Sequence, residues 1–417
     1  MTEPIQGLSS KASKFQSDKD IISSMPENVI TNIMDRLEIE EAVRTSILSR
    51  GWRLKWTLLT RIVFNSDFFE RLSDSNHETY YGRIIISRLL LQLKGALTKF
   101  FLNVTEESYY EDINSWVMFL STKGIEDFTL QSWHGIPLKL PTHFFSCLKL
   151  KRVELTNCCI RPIPGFSGFP NLLSLSLYSV TFESYQCGEF LTWSPLLEVL
   201  VISEDSITGV VQHVELAKLE NLKVLCLPLC KLDSMGMITS SSIFQLMGDF
   251  SKLQELTLVF TDCKMLAGIE ARNNARTFLP CLKVLDLCHI DFSSSIMVSC
   301  AIELICGSSK LHTLRITAAQ KMDVVPPPAF CSSEVDYSRM GQLQLRDVTF
   351  YYIGGWSNES CLIESLLSSS PFLKNVWILA NRSSRGSSYN HKEVMFGIQL
   401  LKFHRASPLA EVELEWV

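Results

Sequence analysis

The side chains that could do chemistry in this chain are scattered rather than grouped. His134, His143 and Cys147 stand close together, but no second Cys/His pair follows at the spacing that four tetrahedral zinc ligands need. Cys226 and Cys230 are four apart, yet Cys230 repeats the position of Cys158 behind an apolar run, where a thiol reads as a small core residue. Gly165-Phe-Ser-Gly168 is one residue short of the elbow that raises a nucleophilic serine above a sheet. Neither a Gly-rich phosphate loop nor a dinucleotide fingerprint is present. The expectation is therefore a chain with no metal, no cofactor and no catalytic residues of its own.

Charge narrows the class further. Of 417 residues, 39 are Lys or Arg and 44 Asp or Glu, a net charge of −5. A nucleic-acid binder draws its affinity from a surplus of phosphate-neutralising cations, which this chain lacks, so no nucleic-acid partner is expected. The most apolar stretch, Ile84 to Leu102, contains Arg88, Lys94 and Lys99 and cannot serve as a membrane span of about 20 apolar residues. Met1 to Ser24 is polar and carries no secretory core. A soluble protein of the cytoplasm or nucleus follows, with its 13 cysteines reduced.

Residues 1–17 read as a mobile tail. From 18 to 60 the pattern is helical. Ser24-Met-Pro-Glu27 has the form of a capping box. Val29, Ile30, Ile33, Met34 and Leu37 recur at helical spacing, and a second short helix should start near Glu40 and run to Leu48. Trp52 and Trp56 follow, four apart. Some 40 residues cannot close a core alone. Such an apolar unit either docks a partner or seals the edge of the next domain, and its pattern allows both.

After a segment expected to be a helical linker or N-terminal cap, 61–96, one motif recurs: apolar, two residues, apolar, one residue, apolar. Leu97/Phe100/Leu102, Leu150/Val153/Leu155, Leu222/Leu225/Leu227 and Leu282/Leu285/Leu287 are examples, as are Met340/Leu343/Leu345, Leu373/Val376/Ile378 and Leu409/Val412/Leu414. Starting points lie 22 to 36 residues apart, near the period of leucine-rich repeats. The alternation gives each unit a short strand with one buried face. Apolar pairs such as Phe244–Met247 and Ile302–Ile305 place helices between strands. The expected fold is α/β: a leucine-rich-repeat solenoid, a curved parallel sheet with helices outside, preceded by a small all-helical unit.

Asp20 to Trp56 closely resembles the F-box of plant F-box proteins, most specifically in AVRTSILSRGWR, Ala42 to Arg53. Met25-Pro26 stands where the family has Leu-Pro, and Gly51 where it usually has Lys. Leu140–Cys158 and Gly168–Phe182 look like that family's leucine-rich repeats, and Leu345–Phe350, Glu364–Ile378 and Leu400–Leu414 like the FBD segment that ends many members. The resemblance, to F-box/FBD/leucine-rich-repeat proteins, divides the chain into an F-box (18–60), repeats (97–339) and an FBD segment (340–417). It implies the substrate-recognition subunit of an SCF-type cullin–RING ubiquitin ligase. The F-box would dock a Skp-type adaptor, and through it a cullin, while the repeats hold a target protein. The adaptor-facing positions would be Met25, Pro26, Val29, Ile30, Ile33, Leu37, Val43, Leu48 and Trp52. Two other readings stay open: a repeat scaffold outside ubiquitination, and a small-ligand co-receptor.

Strand alternation places the residues between the inward leucines on the concave face. There Val201, Cys226, Pro228 and Val259 are apolar where a solvated face is ordinarily polar. Glu154, Tyr178 and Asp286 rim them, so these seven form the expected target site.

Overall fold

The computed structural model describes residues 24–75, 80–104, 109–133, 135–183, 187–203, 213–232, 237–261, 264–266, 279–320, 335–382 and 389–417. The expected tail, 1–17, and His134 lie outside them.

Among these residues, thirteen parallel strands form one sheet whose spatial order is the chain order. They are Arg61–Phe64, Lys99–Val104, Asp127–Ser132, Arg152–Thr156, Ser174–Tyr178, Val199–Ile202, Val224–Pro228, Glu255–Val259, Val284–Ile290, Thr313–Ala318, Asp347–Ile353, Asn375–Ala380 and Glu411–Trp416. Each connection steps to the next strand, as it must when every unit covers only its neighbours. The register aligns Leu225, Leu256, Leu285, Leu314, Val348 and Val376 in one row, and Leu227, Leu258, Leu287, Ile316, Phe350 and Ile378 in a second. All twelve are buried. On the other side of this core lie Tyr110–Lys123, Ser240–Gly248, Ser295–Cys306 and Ser357–Ser369, four helices with their apolar stripes turned inward.

Two local devices keep the units in step. Asn157, Ser179, His289 and Tyr352 all occupy the left-handed region, with φ between 51° and 61°. Each stands four residues after its strand's first inward residue: Asn157 and Ser179 directly follow their strands, and His289 and Tyr352 sit at register shifts within theirs. The second device is aromatic. Phe64, Phe100, Phe128, Phe144, Phe169 and Phe190 touch in sequence, with ring centroids 5.3 to 6.3 Å apart, and tie the N-terminal units together.

Several expectations need correction. The segment 61–96 is not wholly helical. Arg61–Phe64 is the first strand of the sheet and pairs with Lys99–Val104, and two helices, Ser66–Ser75 and Tyr80–Gln92, follow it. Leu59, Ile62 and Phe64 satisfy the repeat motif, so this is a full unit. The unit read as Met340/Leu343/Leu345 is shifted by one motif: the strand starts at Asp347, and Leu345, Val348 and Phe350 fill the inward positions. Helix α1, Glu27–Met34, starts behind Pro26, which as the N-cap supplies no side-chain acceptor. Glu27 is the first helical residue and pairs with Lys55 at 3.9 Å. Among the described residues nine cysteines are free, but Cys361 is disulfide-bonded.

The last three strands carry the sheet through the FBD segment. At their outer turn Glu359, 2% exposed, accepts hydrogen bonds from the Gly354 and Trp356 amides at 3.0 and 2.8 Å and so caps Ser357–Ser369. Gly355 is left-handed at φ 74°, and a Cβ on Gly354 would strike the Trp356 indole. Burial pushes the Glu359 carboxyl up to about 7, against the three backbone amides that favour its charge.

Two predictions follow from this packing. Leu285→Ala removes a fully buried side chain flanked by two strands and should cost roughly 2–5 kcal/mol in chemical denaturation. For Glu359 the folded pKa lies above the ordinary 4.5, so its contribution is complete below about pH 4.5 and is lost as pH rises through about 7. Glu359→Gln keeps an acceptor without the charge. It should flatten the stability profile over that window by on the order of 3 kcal/mol. Parallel wild-type and variant profiles would show that Glu359 does not titrate there.

Candidate functional site

Two surfaces present the expected site residues: the N-terminal helices and the concave strand face. The helices are built onto the first repeat. Asp35 accepts from the Thr60 amide at 2.9 Å and from its hydroxyl at 2.6 Å. Arg71 of the first repeat's helix pairs with Glu38 and Glu40. The Lys94 amide donates to the Thr57 carbonyl at 2.9 Å. Beneath these polar ties Ile30, Met34, Ile39, Ala42, Trp52, Trp56, Leu59 and Ile62 join the core of the solenoid without a break.

This geometry gives the helical unit an inward face that seals the first repeat and an outward face that stays exposed. In α1, Ile30 and Met34 are buried at 1% and 0%, one stripe turned inward. Val29 and Ile33, also four apart, are exposed at 37% and 38%. Pro26 lies on this outer side and is exposed. Beyond the second helix α2, Ile39–Arg44, Ile47 and Leu48 are exposed at 84% and 68%, and Leu54 at 51%.

Of the nine expected adaptor-facing residues, Pro26, Val29, Ile33 and Leu48 are therefore open to a partner, and Met25, Leu37 and Val43 are half-buried against the core. Ile30 and Trp52 are not available: both are buried in the chain's own core. The two helix stripes are equally apolar, so spacing alone could not say which one faces inward. Ile47 and Leu54 were missed. Ile47 stands four residues after Val43, a signal that could have found it.

On the concave face the register sets Glu154, Ser176, Val201, Cys226, Thr257, Asp286 and Arg315 side by side across seven strands. Glu154 accepts from Gln131 at 2.9 Å. Burial raises the Tyr178 hydroxyl pKa, and the nearby Glu154 charge adds to the rise. Burial also raises the Asp286 carboxyl, opposed by the Cys288 thiol and by Arg315. Two members of the expected target site are not on offer: Pro228 is buried and Val259 only 8% exposed. The apolar patch is thus narrower than the alternation implied, with Val201 and Cys226 half-buried between polar neighbours.

Cys147 and Cys158 sit in the core, whereas Cys226 and Cys230 are half-buried. Burial drives the Cys147 pKa up to about 12 and that of Cys158 higher still, so neither forms the thiolate a nucleophile requires. Among the described residues no group of three or more His, Cys, Asp or Glu is placed to hold a metal ion. No described helix is long and apolar enough to cross a membrane.

Comparison with known families matches residues 22–63 to the F-box domain. It also matches residues 113–236 to the family described as FBD-associated F-box protein At5g56370, LRR repeats. The chain is therefore similar to F-box proteins with leucine-rich repeats over its N-terminal helices and over the repeats that follow. The matched F-box covers α1, α2 and the turn through Trp56 that together bear the exposed apolar side chains. F-box/FBD/LRR-repeat protein At1g13570 of Arabidopsis thaliana is 29% identical over 94% of this chain and 98% of its own length. From the same plant, the putative FBD-associated F-box protein At5g56560 is 25% identical over 49% of this chain, and FBD-associated F-box protein At5g56370 is 28% identical over 45%. This chain spans 48% and 44% of those two relatives. Among solved structures, the leucine-rich repeat-containing protein LegL7 of Legionella pneumophila is similar over 75% of this chain and 93% of its own at TM-score 0.34 and 10% identity.

The junction of F-box and repeats carries its own prediction. Asp35→Ala leaves the Thr60 amide and hydroxyl without their acceptor and should cost about 1–3 kcal/mol. Hydrogen exchange at the Thr60 amide should speed up, while exchange in the central strands stays unchanged.

Proposed function

We propose that this F-box protein is the substrate-recognition subunit of an SCF-type ubiquitin ligase. Its F-box docks a Skp-type adaptor and through it a cullin, and its repeats bind a target protein, in the cytoplasm or nucleus. The observation that carries this reading is the pair of stripes on α1. The inner stripe completes the chain's own core, and the outer one, Val29 and Ile33, stays exposed together with Ile47, Leu48 and Leu54. Five large apolar side chains left in water on so small a unit are what a docked partner removes from solvent. The role asks for no nucleophile in this chain, because a receptor contributes proximity and its partners the bond chemistry. The target is expected on the concave face around Glu154, Tyr178, Val201, Cys226 and Asp286.

An Ile33→Asp/Leu48→Asp double variant tests the docking. Both side chains are exposed, so the fold should survive with an unchanged circular dichroism melt. A carboxylate pressed into an apolar interface is costly, and affinity for a purified Skp-type adaptor should fall by about a hundredfold or more. Unchanged adaptor affinity in the folded variant would refute the docking face. Capture of the adaptor without any cullin would instead favour a scaffold outside ubiquitination.

A further inference from the structure

The rim of the solenoid where the strands begin carries a feature that adaptor docking does not use. An open groove of about 400 Å³ is lined by Lys223, Lys252, Gln254, Cys281, Lys283 and Lys310. Backbone bonds build it: the Gln254 amide donates to the Lys223 carbonyl, Lys283 to Gln254, His312 to Lys283, Arg346 to His312 and Lys374 to Arg346, each at 2.8–2.9 Å. These six residues therefore occupy one position on successive strands, at the sheet spacing of about 4.8 Å. Lys252 and Lys310 lie two residues earlier in their own units and add a second row.

The charges in this groove are poorly balanced. Lys223 pairs with Glu198 at 2.7 Å. Lys252 and Lys283 donate only to neutral oxygens, those of Asn221 at 2.9 Å and Gln254 at 3.1 Å. Lys310 has no ion-pair partner among the described residues. The nearest strand acids, Glu255 and Asp347, are one residue further on and turn to the concave side, where Asp347 is held by Asn375. Lys252, Lys283 and Lys310 belong to successive units at the sheet spacing of about 4.8 Å, within a screening length of about 8–10 Å, so their ammonium charges repel one another and an anionic partner relieves that repulsion. It stands out in a chain of net charge −5.

From this we infer that the strand-start rim, centred on Lys252, Lys283 and Lys310, binds an extended acidic segment of a partner protein. The row from Lys223 to Lys374 runs about 24 Å, longer than a compact polyphosphate and enough for about seven extended residues. Lysine presents a mobile point charge rather than a planar fork, which suits a run of carboxylates more than one fixed oxyanion. The inference deepens the reading of the repeats as a partner-binding surface and rests on it. It does not rest on adaptor docking.

The test uses the full chain and a fluorescein-labelled decapeptide of alternating Glu and Ser, followed by anisotropy. Binding should weaken steeply from about 50 to about 200 mM salt. Lys252→Glu/Lys283→Glu should weaken it about tenfold or more, Lys252→Arg/Lys283→Arg should retain it, and Lys402→Glu on a distant helix should leave it unchanged. The melt and adaptor capture of each variant report the fold and the F-box separately from the rim. Absence of peptide binding at low salt, or binding that the double reversal leaves intact, would overturn the proposal. So would inositol hexakisphosphate binding more tightly than the peptide with the same lysine dependence, which would make the ligand a small polyanion. Those outcomes leave adaptor capture untouched, whereas failure of the adaptor test leaves this rim untouched.

Discussion

A single constraint organises this molecule: a repeat cannot bury both sides of its apolar strand alone. Leu285 is dry because Leu256 and Leu314 flank it in register, and the same holds down both inward rows. The hydrophobic gain of each unit is therefore realised only when its neighbours are in place. Such an array has two ends where the rule fails, and the chain treats them differently. At the start, α1, α2 and the buried Trp52 and Trp56 close the core over Leu59 and Ile62. The N-terminal unit is thus a structural cap through one stripe of α1, while the opposite stripe, Val29 and Ile33, stays exposed.

At the other side of the described sheet the packing is looser. Glu411–Trp416 is an edge strand with Val412 and Leu414 only half-buried and Leu409 75% exposed. Its other face presents Glu411, Glu413 and Glu415, all exposed. A row of carboxylates along an open edge discourages another chain from adding a strand, since the newcomer would have to seat against like charge or supply cations in register. Helical covering at one end and charge at the other are two answers to the same exposure.

The repeats were legible because their period leaves little freedom: once one strand's inward leucines are known, spacing carries the pattern to the next. It failed where the motif was ambiguous or hidden. Leu59/Ile62/Phe64 follows directly on the Trp52–Trp56 helical signal and was absorbed into it, although a strand begins at Arg61. Met340/Leu343/Leu345 and Leu345/Val348/Phe350 overlap through one shared leucine, and the chain uses the second, whose β-branched and aromatic residues suit a strand. The docking face was half legible. Spacing groups Val29, Ile30, Ile33, Met34 and Leu37 as one apolar stripe, whereas packing divides it into an inner side, Ile30 and Met34, and an outer one, Val29 and Ile33. On the concave face, alternation gave the right rows, while the burial of Pro228 and Val259 depends on contacts outside any strand pattern. The lysine rim lay in plain sight as Leu-Lys pairs, but one lysine per repeat becomes a cluster only when parallel register stacks them.

The continuous core also sets what the two ends can do together. Twelve strand intervals at about 4.8 Å give a sheet about 58 Å long measured along its inner face. A tilt of about 10° at the F-box would displace the far end by roughly 10 Å over that length. A device that works by proximity loses its advantage when the held group wanders over such distances. Asp35 on Thr60, Arg71 on Glu38 and Glu40, and the Lys94 amide on the Thr57 carbonyl brace the junction in three places around a dry core. These ties thus stand where leverage is greatest, between the N-terminal helices and the first strand of the sheet.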